Sequence, residues 1–167
     1  TTRKKFYSQY PQIVGKKVIL FAPTFRGNGV RTAHYDYSWI SFNELQRGLG
    51  EDYVFIIKMH PFIKNRPQEN LNSDFFLDLS AEREINDLLF ITDILITDYS
   101  SVIFEASLLN INTIFFVPDF DEYVASRDFY YPYGEYTYGP VVRDEKSLIN
   151  AIKNGKNDDQ KLLVFKE

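Results

Sequence analysis

The chain has 167 residues, 44% of them apolar and 25% charged, and a net charge of −4. This is one globular domain's worth of sequence, with no electrostatic case for nucleic acid. Cysteine is absent and the two histidines lie far apart, which excludes disulfides and thiolate metal sites, argues against zinc, and fits a reducing compartment.

Residues 1–17 carry Arg3, Lys4, Lys5, Lys16 and Lys17 and read as a charged lead-in with little core pattern of its own, either solvated or facing a membrane. Residues 18–22 are the first predicted strand. It runs into Pro23-Thr24-Phe25-Arg26-Gly27-Asn28-Gly29, a loop whose glycines permit close backbone approach. Ser41 and Glu44 have capping-box spacing, predicting a helix over 42–49 that stops at Gly48 and Gly50. Residues 53–57 form the second strand, which ends in Lys58-Met59-His60-Pro61, where the proline fixes the exit direction of the histidine. A polar connection over 62–73 leads to a short third strand at 75–77. Ser80 is then placed to cap a helix over 82–90 whose inner side is Ile85, Leu88 and Leu89.

The stretch 91–109 carries the strongest signal. An isoleucine-rich run at 93–97 reads as a buried parallel strand. A polar turn, Asp98-Tyr99-Ser100-Ser101, follows, and from Val102 onward Ile103, Ala106 and Leu109 recur at helical spacing. A helix start of this kind offers unpaired N–H groups and a positive dipole end, which suits phosphate. The same residues also read as a plain capped turn, Ser100 capping the helix and Asp98 bracing the loop. Residues 113–117 are the next strand, ended by Pro118-Asp119. The aperiodic, Tyr-, Asp- and Gly-dense segment 119–140 reads as a long functional loop. A short strand at 141–142, a helix over 145–153 and the beginning of another within 154–167 close the chain. The longest apolar runs are broken well short of the about 18 residues of a membrane span, and no signal peptide is recognisable, so the expectation is a soluble protein able to work at a membrane surface.

Strands alternating with helices predict a doubly wound parallel sheet, with ligands outside the carboxyl ends of the strands. Thr24 and Arg26, Lys58 and His60, the Asp98 to Ser101 turn, and Asp119 all follow a predicted strand and so share one edge. Hydroxyls, an imidazole, a guanidinium and a helix start on one edge make a metal-free phosphate cleft. Taken singly, His60 reads more often as a packed or turn-stabilising side chain and Arg26 more often as a surface charge, while Glu105, one turn beyond Ser101, reads as pointing into the cleft or into water.

With these residues in place, the sequence resembles the CDP-glycerol:poly(glycerophosphate) glycerophosphotransferase family, the polymerases and primases of wall teichoic acid and related capsule polymers. The matching motifs are Ile19-Leu20-Phe21-Ala22-Pro23-Thr24-Phe25-Arg26-Gly27, Lys58-Met59-His60-Pro61, and Leu95-Ile96-Thr97-Asp98-Tyr99-Ser100-Ser101-Val102-Ile103-Phe104-Glu105. Weaker echoes are Arg127-Asp128-Phe129-Tyr130 and Gly139-Pro140, so the likeness spans residues 18–142. It implies a GT-B architecture of two facing Rossmann-like domains, with residues 18–167 as the C-terminal, donor-binding α/β half, helices on both faces of its sheet. The N-terminal domain and its general-base histidine lie outside this chain, and His34 is no substitute for that base. By the same resemblance Thr24, Arg26, His60, Asp98, Ser100 and Ser101 hold a donor pyrophosphate, Glu105 contacts the ribose, and His60 and Arg26 stabilise the leaving phosphate. The implied partners are a CDP-activated polyol donor, a lipid-linked polymer acceptor and the N-terminal domain. No cofactor and no metal are implied, the place of work is the cytoplasmic face of a bacterial membrane, and the piece is inactive alone. Two alternatives stay open: a GT-B glycosyltransferase using a UDP- or GDP-sugar, and a noncatalytic receiver-like module in which Asp98 accepts a phosphoryl group. A receiver, however, has an acidic pair where this chain has Pro23-Thr24.

Overall fold

Each strand is a short apolar run without the in–out polarity of a half-exposed sheet, as expected where helices cover both faces. A computed structural model describes residues 2–27, 29–65, 74–81, 85–121 and 137–166. Its strands are Lys17–Phe21 (β1), Tyr53–Ile57 (β2), Phe76–Asp78 (β3), Ile94–Thr97 (β4), Asn112–Phe116 (β5) and Val141–Val142 (β6). They form one sheet in the order β3-β2-β1-β4-β5-β6, and every pairing is parallel. The direction of winding reverses between β1 and β4, so the crevice at their carboxyl ends is the switch point of a Rossmann-type sheet.

Alternate side chains separate into two cores. Ile19, Phe21, Phe55, Ile57, Ile96 and Phe116 face the helices Phe42–Leu49 (α2) and Glu145–Asn154, which we number α5. Val18, Leu20, Val54, Ile56 and Leu95 face Thr2–Gln9 (α1), Ile85–Leu89 (α3) and Val102–Leu108 (α4). The last helix, Asp159–Lys166 (α6), sets Leu162 into a third cluster with Ile103, Phe115, Val117 and Tyr138.

Three expectations are revised. Residues 1–17 do contribute core: Phe6 on α1 and Ile13 are 2% and 1% exposed and pack on the second cluster, and burying one such side chain stabilises by about 1.5–3 kcal/mol. The expected helix is described only over Ile85–Leu89, and the residues Ser80 would cap, 82–84, lie outside the described residues; the Ser80 hydroxyl accepts the Met59 N–H at 2.9 Å and so pins the exit of β2. The Ser41 capping box is half-formed. Ser41 Oγ accepts the Glu44 N–H, but Glu145 takes the Ser41 N–H at 2.6 Å while Glu44 pairs with Arg47. The box residue is displaced by a carboxylate from α5, which thereby locks the two helices on that face together.

Candidate functional site

The loop after β1 leaves the sheet at its switch point and returns on itself. Arg26 and His34 exchange backbone hydrogen bonds of 2.7 and 3.0 Å. The turn requires Gly27, with φ at +100°, where an added Cβ would lie 2.3 Å from the Thr32 carbonyl oxygen. Before this turn Phe25 packs on His60 at the exit of β2, and Arg26 reaches Asp98 at the exit of β4.

On the β4 side the central group is Asp98, 2% exposed. Its Oδ1 accepts the Thr24 N–H and Oγ–H, each at 2.9 Å, and the Tyr99 N–H at 2.6 Å, while Oδ2 accepts Arg26 Nη2 at 2.9 Å. Burial raises the Asp98 pKa above the ordinary aspartate value despite the opposing pull of Arg26 and these donors. With both oxygens committed and no exposure, this carboxylate is not a receiver-type phosphoryl acceptor.

Arg26 joins that carboxylate to a second one. Its Nε and Nη2 grip Asp119 at 2.7 and 3.0 Å, Nη2 also reaches Asp98, and Nη1 donates to the Thr24 carbonyl and hydroxyl oxygens at 3.0 and 3.1 Å. A guanidinium has five N–H donors, and these five bonds match all of them. The rings of Tyr35, Trp39 and Tyr99 lie 5.6, 5.2 and 5.3 Å from its central carbon. Burial would lower the pKa of Arg26, but the hydrogen bond to Asp119 and the field of both carboxylates raise it well above its ordinary value. The Arg26 guanidinium, expected to hold a phosphate directly, is taken by two desolvated carboxylates, while Thr24 stays half-buried with its hydroxyl between Asp98 and Arg26. Tyr35 contributes a buried hydroxyl with no hydrogen-bond partner among the described residues, and burial, with Asp98 next, raises its pKa.

His60, on the β2 side, stands between two phenyl rings, 4.8 Å from Phe25 and 4.6 Å from Phe62. The Phe62 N–H donates to its Nδ1 at 3.1 Å, which fixes the tautomer with the proton on Nε2 and leaves Nε2–H for a ligand. Burial, then the charge of Lys58, lowers the His60 pKa, so the ring is a neutral donor. Lys58 itself is buried and donates to the Ser80 carbonyl.

At the β4 exit the two serines have different tasks. Ser100 Oγ accepts the Val102 N–H at 3.2 Å, closing the first turn of α4, while Ser101 is exposed and makes no side-chain cap. Glu105 is exposed one turn further on. Because β2 and β4 flank β1 in a parallel sheet, the strand ends that deliver His60 and Ser100 are two inter-strand spacings apart, about 10 Å. The segment Arg127-Asp128-Phe129-Tyr130 lies outside the described residues. Asp119 and the aromatic box of Tyr35 and Trp39 were not among the expected site residues. Asp119 had one signal, its place directly after a strand; the box had none, since it lies within a loop without periodicity.

A histidine, two serines and a helix start stand at the carboxyl edge of a parallel, doubly wound sheet, beside a frame of buried ion pairs, and the fold is of the Rossmann-like α/β class. Residues 1–165 match the family model described as CDP-Glycerol:Poly(glycerophosphate) glycerophosphotransferase, and the chain belongs to that family. It is 47% identical over 164 residues to the teichoic acid poly(ribitol-phosphate) polymerase of Bacillus spizizenii, covering 98% of this chain and 26% of that one. It is 42% identical over 165 residues to the teichoic acid ribitol-phosphate polymerase TarL of Staphylococcus aureus, covering 98% and 29%. A solved structure of the wall teichoic acid polymerase TagF, soaked with CDPG, superposes with a TM-score of 0.77 at 31% identity, over 99% of this chain and 38% of that one. The chain thus spans between about a quarter and two-fifths of the length of these proteins, and its fold is that of the Rossmann-like, GT-B-type portion it matches.

Proposed function

We propose that this chain is the donor-binding portion of a transferase that moves a polyol phosphate from a CDP-activated donor to a lipid-linked teichoic acid or capsular polymer. The single observation that carries the reading is that the β1 loop reaches both of its neighbours at the switch point. Phe25 packs on His60, while Thr24 and Arg26 bind Asp98, so His60 and the Ser100–Ser101 turn flank one crevice. The acceptor hydroxyl attacks the donor's distal phosphorus, the bond from that phosphorus to the bridging oxygen breaks, and CMP leaves with the negative charge. The acceptor's proton goes to a base outside this chain. His60 Nε2–H, the serine hydroxyls and the α4 start stabilise the departing phosphate as preorganised donors; Glu105 lies one turn along α4, where a ribose hydroxyl would be met.

No helix among the described residues is long and apolar enough to cross a membrane. A lipid-linked acceptor supports the reading that the work is done at the cytoplasmic membrane surface, through peripheral contact. The polymerases named for ribitol phosphate make CDP-ribitol the first donor to test. Calorimetric titration of the chain with CDP-ribitol, CDP-glycerol and CMP is expected to give binding, with UMP and GMP competing poorly. Absence of binding by all three cytidine ligands at millimolar concentration would refute the donor site, and preference for UMP or GMP would favour an ordinary sugar donor.

A further inference from the structure

Asp119 stands three residues beyond the end of β5, and both its oxygens are held by one guanidinium, in the planar fork geometry that fixes orientation as well as distance. Through Arg26 the segment after β5 is tied to the segments after β1 and β4, since the same guanidinium binds Thr24 and Asp98. The cluster sets two carboxylates against one guanidinium, with side chains 9%, 1% and 9% exposed for Arg26, Asp98 and Asp119. Buried ion clusters of this kind stabilise a fold no better than apolar packing of the same volume, so their contribution is to geometry. Here the geometry concerned is that of Asp98, whose Oδ1 orients the Thr24 and Tyr99 N–H groups at the two lips of the crevice.

We propose that Asp119 is a positioning residue of the donor site, which acts on ligand affinity through Arg26 and Asp98 without touching the ligand. The effect on affinity rests on the donor-site reading above; the effect on the crevice backbone does not.

The test compares D119N and D119A with the unaltered chain, at a temperature where circular dichroism shows each fully folded. Amide hydrogen exchange is read at Thr24 and Tyr99, and CMP affinity by calorimetry. Trp39, the only tryptophan, lies on the Arg26 guanidinium and reports its displacement by fluorescence. Both variants are expected to speed exchange at Thr24 and Tyr99, shift the Trp39 emission and weaken CMP binding about tenfold or more, as small misplacements of a binding constellation do. In a double-variant cycle, D119A added to R26M is expected to cost no further affinity, because Asp119 acts through Arg26. Unchanged exchange and emission in both variants would overturn the proposal whether or not CMP binds. Weakened binding that multiplies with the R26M loss would overturn it by making Asp119 an independent ligand contact. Should R26M fail to fold, the exchange and affinity readouts on D119N still decide. Failure of the unaltered chain to bind CMP, with exchange altered in the variants, would refute the donor site and leave the positioning intact.

Discussion

Replacing Arg26 by Met removes five hydrogen bonds and leaves Asp98 and Asp119 facing each other across an apolar side chain. Breaking a buried ion pair from one side costs about 3–5 kcal/mol, because a desolvated charge loses its counter-ion. At about 2–4 °C per kcal/mol for a chain of this size, the melting temperature falls by about 6–20 °C. Arg26→Lys restores the charge but not the fork or the ring stacking, and is expected to lose about 2 kcal/mol. The deficit of the Met variant depends on pH. The folded-state pKa of Asp98 is raised by burial from 3.8, so the native state holds this proton more tightly than the unfolded chain does. That contribution is fully present below the unfolded value and is lost as pH rises through the folded one. Without Arg26 the folded value climbs further and the window of loss extends upward, so the variant recovers part of its deficit on going from pH 7 to pH 5. Urea unfolding followed by circular dichroism at both pH values measures this. A Met variant within about 1 kcal/mol of the unaltered chain at pH 7, or a deficit that widens at pH 5, would show that the cluster is not a desolvated ion network.

The remaining predictions separate ligand contacts from framework. His60→Asn keeps an acceptor for the Phe62 N–H but loses the Nε2 donor, so CMP affinity is expected to fall about 10- to 100-fold, while His60→Gln, whose amide reaches the Nε2 position, loses less; equal losses in a calorimetric comparison would contradict the tautomer. Ser100→Ala is expected to cost about 1 kcal/mol in urea unfolding because it opens the first turn of α4, whereas Ser101→Ala stays within about 0.5 kcal/mol yet weakens CMP binding. Tyr138→Phe, which loses the hydroxyl bonded to the Ile103 carbonyl and to Thr113, is expected to destabilise by about 1–2 kcal/mol, and no loss would show that this hydroxyl is solvated.

The strands were legible because a sheet covered on both faces writes itself as short runs of Ile, Val and Phe; each predicted strand lies within one residue of the observed one at either end. Their shared polar edge was legible for the same reason, since parallel direction follows from alternation with helices. Helix α1 was not legible, because Phe6, with the half-buried Tyr7 beside it, carries its contact with the core, and two adjacent rings have no period. Gly139, noted only as an echo of a family motif, has a plain physical reason: a Cβ there would lie 1.9 Å from the Thr113 carbonyl oxygen, so only glycine lets the returning chain pass β5. The partner of Arg26 was hidden deeper. Asp119 is 93 positions away in sequence, and only the order of strands in the folded sheet brings the two loops together.

That pairing changes the electrostatic account of the crevice. An arginine free to meet a diphosphate would supply a formal positive charge; committed to two carboxylates, it leaves a frame carrying one net negative charge beneath the proposed donor site. In the proposed donor site, attraction then comes from neutral donors, the Nε2–H of His60, the serine hydroxyls and the backbone at the start of α4, whose strength depends on alignment and exclusion of water more than on long-range field. Interactions of this kind are weakly screened by salt, unlike an exposed ion pair. CMP affinity is accordingly expected to change by less than about threefold between about 50 mM and about 500 mM KCl, where direct capture by a free guanidinium would lose about tenfold. Titrations across that range decide between the two, and a steep loss would return Arg26 to the ligand and require its bonds to Asp119 to open on binding.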